Sequence, residues 1–417
     1  MNDNTTETRG TAPHLSRRAR ALLVGGVVAA LVAGATGLGA WARVAASTPS
    51  GTGGAQAAEQ DAAQGDRLQE RLQQIVDSGY PAALATVTAP DGGRVDAVAG
   101  TGDRDTGAAP PEDGEVRIAS NTKMFVATVV LQLVEEGRVD LDEPIDSYLP
   151  GLVAGDGIDG AAISVRQLLQ HTSGLPEYAD EVAADAFGVQ HDYISPRDML
   201  DVALARPAAS APGERWEYSN TNYLVLGLLV ERVTHRPLAE QIDERIVRPL
   251  ELAHAYFPAP GEQDLRGEHP HGYHSADVGE LRDISELDPS FAWAAGAMVS
   301  TPSELNTFMQ ALLDGRLLGE AALAELQTTV PAGDELWPEA AYGLGLQRYP
   351  LSCGGVAWGH GGDIPGTQTR NAVGPDGTAV TIAVTALPWA IVDQADEERL
   401  LDSYRIVVDA LDETLCD

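Results

Sequence analysis

Residues 120–137 read SNTKMFVATVVLQLVEEG, and this stretch decides the architecture. After Lys123 it is apolar almost all round: Met124, Phe125, Val126, Val129, Val130, Leu131, Leu133 and Val134, with Gly137 ending the run. A helix with no polar face is a buried one. Ser120 therefore opens a central helix, and Lys123 follows one turn later on the same face. An amine is thus placed beside a hydroxyl. The helix N-terminus adds positive potential and unpaired backbone N–H groups, which suit a developing oxyanion. A serine here also serves as an ordinary N-cap, so the spacing alone does not decide its role.

The choice of cation is informative. Of the 27 basic residues, all but Lys123 are Arg. Arg stays protonated, whereas a buried Lys can be pushed to neutrality and act as a base. A chain of 417 residues with 44% hydrophobic content can build a substantial core, as one large domain or two medium ones. The formal charge of -35 opposes phosphate backbones, so no nucleic-acid partner is expected.

Outward from the central helix, organisation is legible at both ends. Residues 1–20 are polar and carry Arg17, Arg18 and Arg20. Ala21 to Ala42 is then apolar apart from Thr36. This reads as an export signal or a single membrane anchor, placing the rest outside the cytoplasm, secreted or held at the membrane's outer face. Residues 1–46 are assigned to that segment, 47–64 to a linker and 65–417 to the catalytic domain. An amphipathic helix is expected from Arg67 to about Ser78. Runs at 83–88 and 94–99 flank Asp91-Gly92 and read as a β-hairpin. A second pair, 368–373 and 378–386, flanks Pro375-Asp376-Gly377, and a last helix is expected over about 393–411. Strands at both ends with helices between them predict an α+β fold whose sheet joins the two termini. Export also makes a Cys353–Cys416 disulfide the natural pairing of the two cysteines, against two buried thiols.

Two further stretches carry chemistry. In Trp216-Glu217-Tyr218-Ser219-Asn220-Thr221-Asn222-Tyr223, a Tyr beside a cationic amine can relay a proton. The Asn220 amide can hold a carbonyl or orient Lys123. In Gly359-His360-Gly361-Gly362-Asp363, glycines let a backbone approach a substrate closely. The loop Glu268–His274 is broken by Pro270 and Gly272, so no metal site is read there, and no cofactor is expected.

Ser120-x-x-Lys123, Tyr218-x-Asn220 and His360-x-Gly362 stand in the order and rough spacing of the serine β-lactamase and DD-peptidase superfamily, which the chain resembles over roughly residues 65–417. The stretches Leu168–Leu175, Ala295–Ala297, Tyr342–Leu346 and Leu351–Gly354 extend the likeness, most closely to its D-alanyl-D-alanine carboxypeptidase branch. The resemblance implies that fold: an antiparallel sheet from N- and C-terminal strands plus a helical region. It implies acylation of Ser120, with Lys123 and Tyr218 shuttling the proton and water releasing the acyl group. His360 would stand where many members have a cation and would orient Tyr218. The N–H groups of Ser120 and Asp363 would form the oxyanion hole. Asn220, Gly362, Asp363, Phe291 and Arg348 complete the expected substrate-binding set. The expected substrate is a peptide, ester or β-lactam small molecule, met by a monomer.

The sequence departs from the carboxypeptidase where a substrate carboxylate should bind. Gln347, Gly361 and Asp363 stand where that branch has an Arg and two Thr, with Arg348 one position late. An ester, a D-amino-acid amide, an amine-terminated peptide or a β-lactam thus competes with a D-alanyl-D-alanine terminus. A penicillin-binding sensor without turnover is the reading from a different class.

Overall fold

The computed structural model describes residues 53–276, 279–333 and 337–417. The expected signal or anchor lies outside the described residues. Among those described, no helix is long and apolar enough to cross a membrane.

The fold is α+β. Its centre is an eight-stranded antiparallel sheet built from β1 (Ala82–Thr88), β2 (Arg94–Gly100), β3 (Val330–Pro331), β4 (Ala341–Tyr342), β5 (Gln347–Pro350), β6 (Val356–Ile364), β7 (Thr367–Val373) and β8 (Ala379–Val384). The order across it is β2-β1-β8-β7-β6-β5-β4-β3. The two hairpins read from the sequence meet at β1–β8, where Ala83 faces Val384 and Thr88 faces Ala379. The termini are thereby stitched into one sheet, as the turn signals predicted.

Five longer helices position the rest: α1 (Gly53–Asp77), α2 (Thr122–Glu135), α3 (Thr221–Thr234), α4 (Pro302–Leu313) and α5 (Glu397–Leu415). One face of the sheet packs on α1 and α5. Leu68, Leu72 and Ile75 meet Ala83, Ala85, Val380, Ile382, Val407 and Leu411 there. The opposite face carries α4 and the helical region, whose larger core centres on α2 and α3. Every α2 residue from Thr122 to Leu131 is buried, as a helix apolar on all sides requires. Phe125 stacks on Phe308 of α4 with centroids 3.7 Å apart, tying α2 to the sheet-covering layer.

Helix α1 begins at Gly53, well before the expected start at Arg67, so the helix reaches back through residues 53–64. That stretch carries Ala, Gln and Glu, good helix formers, and its glycines, Gly53 and Gly54, lie at the start. Helix α5 runs to Leu415, beyond the expected end, and the Asp396 side chain caps it by accepting from the Arg399 N–H. Cys353 and Cys416 form the expected disulfide, with Cα atoms 5.7 Å apart across a separation of 63 residues. In the chain-entropy model such a closure contributes about 4 kcal/mol.

Candidate active site

The start of α2 is held against the sheet by close backbone approach. A Cβ on Gly362 would lie 2.3 Å from the Ile118 carbonyl oxygen, so only glycine lets β6 pass here. Asn121 donates through Nδ2 to Ile118 O at 2.8 Å and to Thr369 Oγ1 at 2.7 Å, locking the turn to β7. Ala119 takes φ 47°, a left-handed conformation that costs a non-glycine residue energy. The strained turn presents Ser120, which is partly exposed while its neighbours Ala119 and Asn121 are buried.

Lys123 is fully buried. Its Nζ donates to Ser120 Oγ at 2.9 Å, to Asn220 Oδ1 at 2.8 Å and to the Ala295 carbonyl at 2.6 Å. Burial lowers its pKa to about 7, against a smaller opposing pull from Glu177. A sizeable neutral fraction is therefore present at physiological pH, and the amine beside Ser120 can accept a proton. Tyr218 hydrogen-bonds Ser120 from another side. Burial raises its phenol, and the bond to Ser120 offsets part of that rise. The Tyr218 ring centroid lies 5.0 Å from Lys123 Nζ. Ser120, Lys123, Tyr218 and Asn220 thus converge, Asn220 arriving from the residue before α3.

His360 behaves differently from the expected cation. Burial, with Lys123 adding, lowers its pKa to about 3, so it is neutral. Its Nδ1 faces the Gly361 carbonyl at 2.5 Å, which places the proton there. Its Nε2 then accepts from the Tyr342 hydroxyl at 2.9 Å. The bond expected toward Tyr218 goes to Tyr342 instead; the Tyr218 and His360 ring centroids are 6.2 Å apart. Behind Tyr342 stands His171. Its Nδ1 accepts from the Ser219 N–H at 3.2 Å and from Asn222 Nδ2 at 3.1 Å, so its Nε2 carries the proton toward Tyr342 at 3.1 Å. The His171 ring also stacks on Tyr218, with centroids 4.3 Å apart. A neutral chain His171–Tyr342–His360 therefore runs beneath the site. Both residues lie in stretches that extend the sequence likeness, Leu168–Leu175 and Tyr342–Leu346, but nothing in either stretch joins them.

Along β6, Asp363 faces away from His360 and Gly362, because successive side chains alternate. Its charge is paired. Arg370 of β7 donates to it, Nη1 to Oδ1 at 2.8 Å. Gly361 N donates to Gln347 Oε1 at 3.3 Å, on the edge away from β7. By strand periodicity the Asp363 N–H points the same way, along an edge that β5 leaves open beyond Gly359. Arg348 lies opposite Trp358, on the His360 face but two residues down the strand. Phe291 is buried in one apolar cluster with Ala119 and Ile364, the chain neighbours of Ser120 and Asp363.

Glu177 was not foreseen. Its Oε2 accepts from Asn220 N at 2.7 Å and Asn220 Nδ2 at 3.1 Å, and its Oε1 from Ala179 N at 2.8 Å. Burial raises its carboxyl above the usual range. It follows directly on the Leu168–Leu175 stretch, the one sequence signal that pointed near it.

A serine bonded to a buried, low-pKa lysine beneath an antiparallel sheet defines an active-site-serine hydrolase. The beta-lactamase family model matches residues 55–404, and the chain belongs to that family. It is similar to a solved D-stereospecific amidohydrolase from a Streptomyces species, 36% identical, covering 81% of this chain and 97% of that one at a TM-score of 0.72. It is also similar to D-amino acid amidase from Ochrobactrum anthropi SV3, solved with L-phenylalanine amide, 28% identical, covering 84% and 99% at 0.72. Among curated proteins, Protein flp of Staphylococcus aureus is 32% identical over 140 residues, 34% of this chain and 27% of that protein. The chain spans from about a quarter to three-fifths of the length of the first curated relatives it matches.

Proposed function

We propose that the protein hydrolyses the amide of a small substrate with a free amine, of the D-amino-acid amide or amine-terminated peptide class. The observation that carries this reading is Glu177. Its carboxylate is bound by Asn220 and backbone N–H groups, and no Arg or His makes an ion pair with it among the described residues. A carboxylate that holds Asn220, itself bonded to Lys123 at the nucleophile, and that has no ion-pair partner suits a substrate ammonium. Two further facts support the choice: the Asp363–Arg370 pair removes a free cation from the carboxylate-binding positions, and both full-length structural neighbours described above are amide hydrolases.

Neutral Lys123 takes the Ser120 proton as Oγ attacks the carbonyl, forming the tetrahedral adduct. The N–H groups of Ser120 and Asp363 receive its oxyanion. Tyr218 passes the proton to the leaving nitrogen, the C–N bond breaks, and water hydrolyses the Ser120 ester by the reverse relay. A D-alanyl-D-alanine carboxypeptidase activity uses the same groups and is the competing reading.

The test is a panel of D-alanine amide, N-acetyl-D-alanine amide, D-alanyl-D-alanine and a cephalosporin. We expect D-alanine amide to lead, N-acetylation to lower kcat/KM by about tenfold or more, and E177Q to erase that difference. Equal rates with and without the free amine would overturn the reading, as would a lead by D-alanyl-D-alanine.

A further inference from the structure

We propose that the Asp363 carboxylate is a built-in competitor for a substrate carboxylate, holding Arg370 out of use and so excluding free-acid substrates. This rests on the amide-hydrolase reading above and names the device that sets its preference.

The register makes the pair. Gly361 of β6 lies directly opposite Arg370 of β7, and Asp363 opposite Gln368. Residues opposite one another share a face, so Gly361, Asp363, Gln368 and Arg370 are all turned toward α1 and α5. A Cβ on Gly361 would sit 3.0 Å from Arg370 Nη1, so the guanidinium lies across the bare glycine. There Nη1 donates to Asp363 Oδ1 at 2.8 Å and to Thr369 O at 2.7 Å, while the second contact, Nη2 to Oδ2, is slack at 3.4 Å.

Exposure gives the pair a direction. The Arg370 side chain is 10% exposed and that of Asp363 31%. The cation is inside, and its carboxylate cap opens to solvent at the β6 edge that β5 leaves uncovered. The Asp363 N–H at the same edge is the group proposed to meet the oxyanion. Asp363 hangs on the far face of β6, but at this open edge its charge still reaches the site, where it helps to raise the Tyr218 phenol, so a substrate carboxylate entering along the edge meets a negative charge where the underlying group is positive. If Asp363 loses its charge, Arg370 is still positioned by Thr369 O and by the Tyr404 ring, 5.9 Å from its guanidinium carbon. A nearly buried guanidinium without a counter-charge then draws a carboxylate from solution.

The experiment compares kcat/KM for D-alanyl-D-alanine and for its C-terminal amide, as a ratio that cancels any loss of rate common to both. D363N should raise the ratio of free acid to amide by about tenfold or more. The double variant D363N/R370Q should fall back to near the wild-type ratio. A ratio unmoved in folded D363N overturns the proposal. So does a gain that survives in the double variant, because relief of repulsion and not Arg370 would explain it. Should D363N be recovered unfolded by circular dichroism, D363S assayed with acetate carries the same test. Acetate should then inhibit the free acid competitively in D363S and not in wild type, and its failure to do so overturns the proposal. A wild-type preference for the free acid would instead sink the amide-hydrolase reading, whichever way the ratio moved on substitution.

Discussion

Lys123 and Arg370 are both buried cations beside strand β6, on opposite faces of the sheet, and their protons are held in opposite ways. Lys123 is surrounded by a hydroxyl, an amide oxygen and a carbonyl, with no carboxylate in contact, and burial brings it down to about 7. Arg370 is also penalised by burial, but Asp363, with smaller help from Tyr404 and Tyr349, more than offsets it and the group is raised. The difference teaches what makes a base in this fold. Burial alone loosens a proton, and one contacting carboxylate fixes it again. The helical face of the sheet keeps such carboxylates out of contact with Lys123, and the face under α1 and α5 supplies one.

The sharpest way to break the comparison is to make the first cation like the second. Lys123→Arg keeps the charge and removes the neutral amine, so kcat/KM should fall at least about 100-fold, the low end for general acid–base catalysis. In the wild type, kcat/KM should rise with pH through about 7 as Lys123 loses its proton. The stability sign follows from the same shift. The folded pKa lies below a lysine's ordinary 10.5, so between the two the unfolded chain binds more protons and stability should rise with pH. An arginine variant within a few-fold of wild type, or a rate flat from pH 6 to 8, would remove Lys123 from the proton path.

How much of this was legible beforehand follows from where each residue gets its meaning. Ser120, Lys123, Tyr218 and Asn220 sit at the starts of apolar helices, and an apolar run is a local signal. The hairpins were read for the same reason, from turn residues between β-rich runs. Arg370 was missed because its role comes from register: nothing near it in sequence shows that β7 places it opposite Gly361. The pairing of Asp363 with Arg370 is invisible in the sequence for the same reason. Glu177 and the His171–Tyr342–His360 chain depend on the loop over 171–177 meeting strands β4 and β6 and the start of α3, which no periodicity reports. The α1 start was misplaced because Ala- and Gln-rich sequence has the composition of a linker and the propensity of a helix.

A middle-sized effect concerns the second cation. Arg370→Met should leave Asp363 without its partner and cost about 2 kcal/mol, below the range for breaking a fully buried pair because Asp363 is 31% exposed. Urea denaturation of wild type, R370M and R370M/D363N measures it. The double variant should recover part of the loss, since it removes the stranded carboxylate. A double variant no better than R370M would mean that packing against Tyr404, and not charge pairing, holds Arg370.

The smallest expected effect tests the neutral chain beneath the Lys123 site. Tyr342 donates to His360 Nε2 and accepts from His171 Nε2, and both imidazoles are held neutral, His360 near 3 and His171 well below its ordinary value, burial being the main cause for each. No proton needs to travel along this chain for Lys123 to work. Its role is to hold the Tyr218 ring, which stacks on His171, and to fix the His360 tautomer that bonds Gly361 O. Tyr342→Phe keeps the ring and deletes the hydroxyl. It leaves two imidazole nitrogens without a partner in a buried setting, a cost of about 1–3 kcal/mol in stability. Catalysis should suffer less: kcat should fall by less than about tenfold, KM should stay within about twofold, and the rise in rate through pH 7 should keep its midpoint. A loss of about 100-fold or a displaced midpoint would show that the chain carries the proton itself, and the contrast between one active cation and one fixed one would then have to include a third, neutral participant.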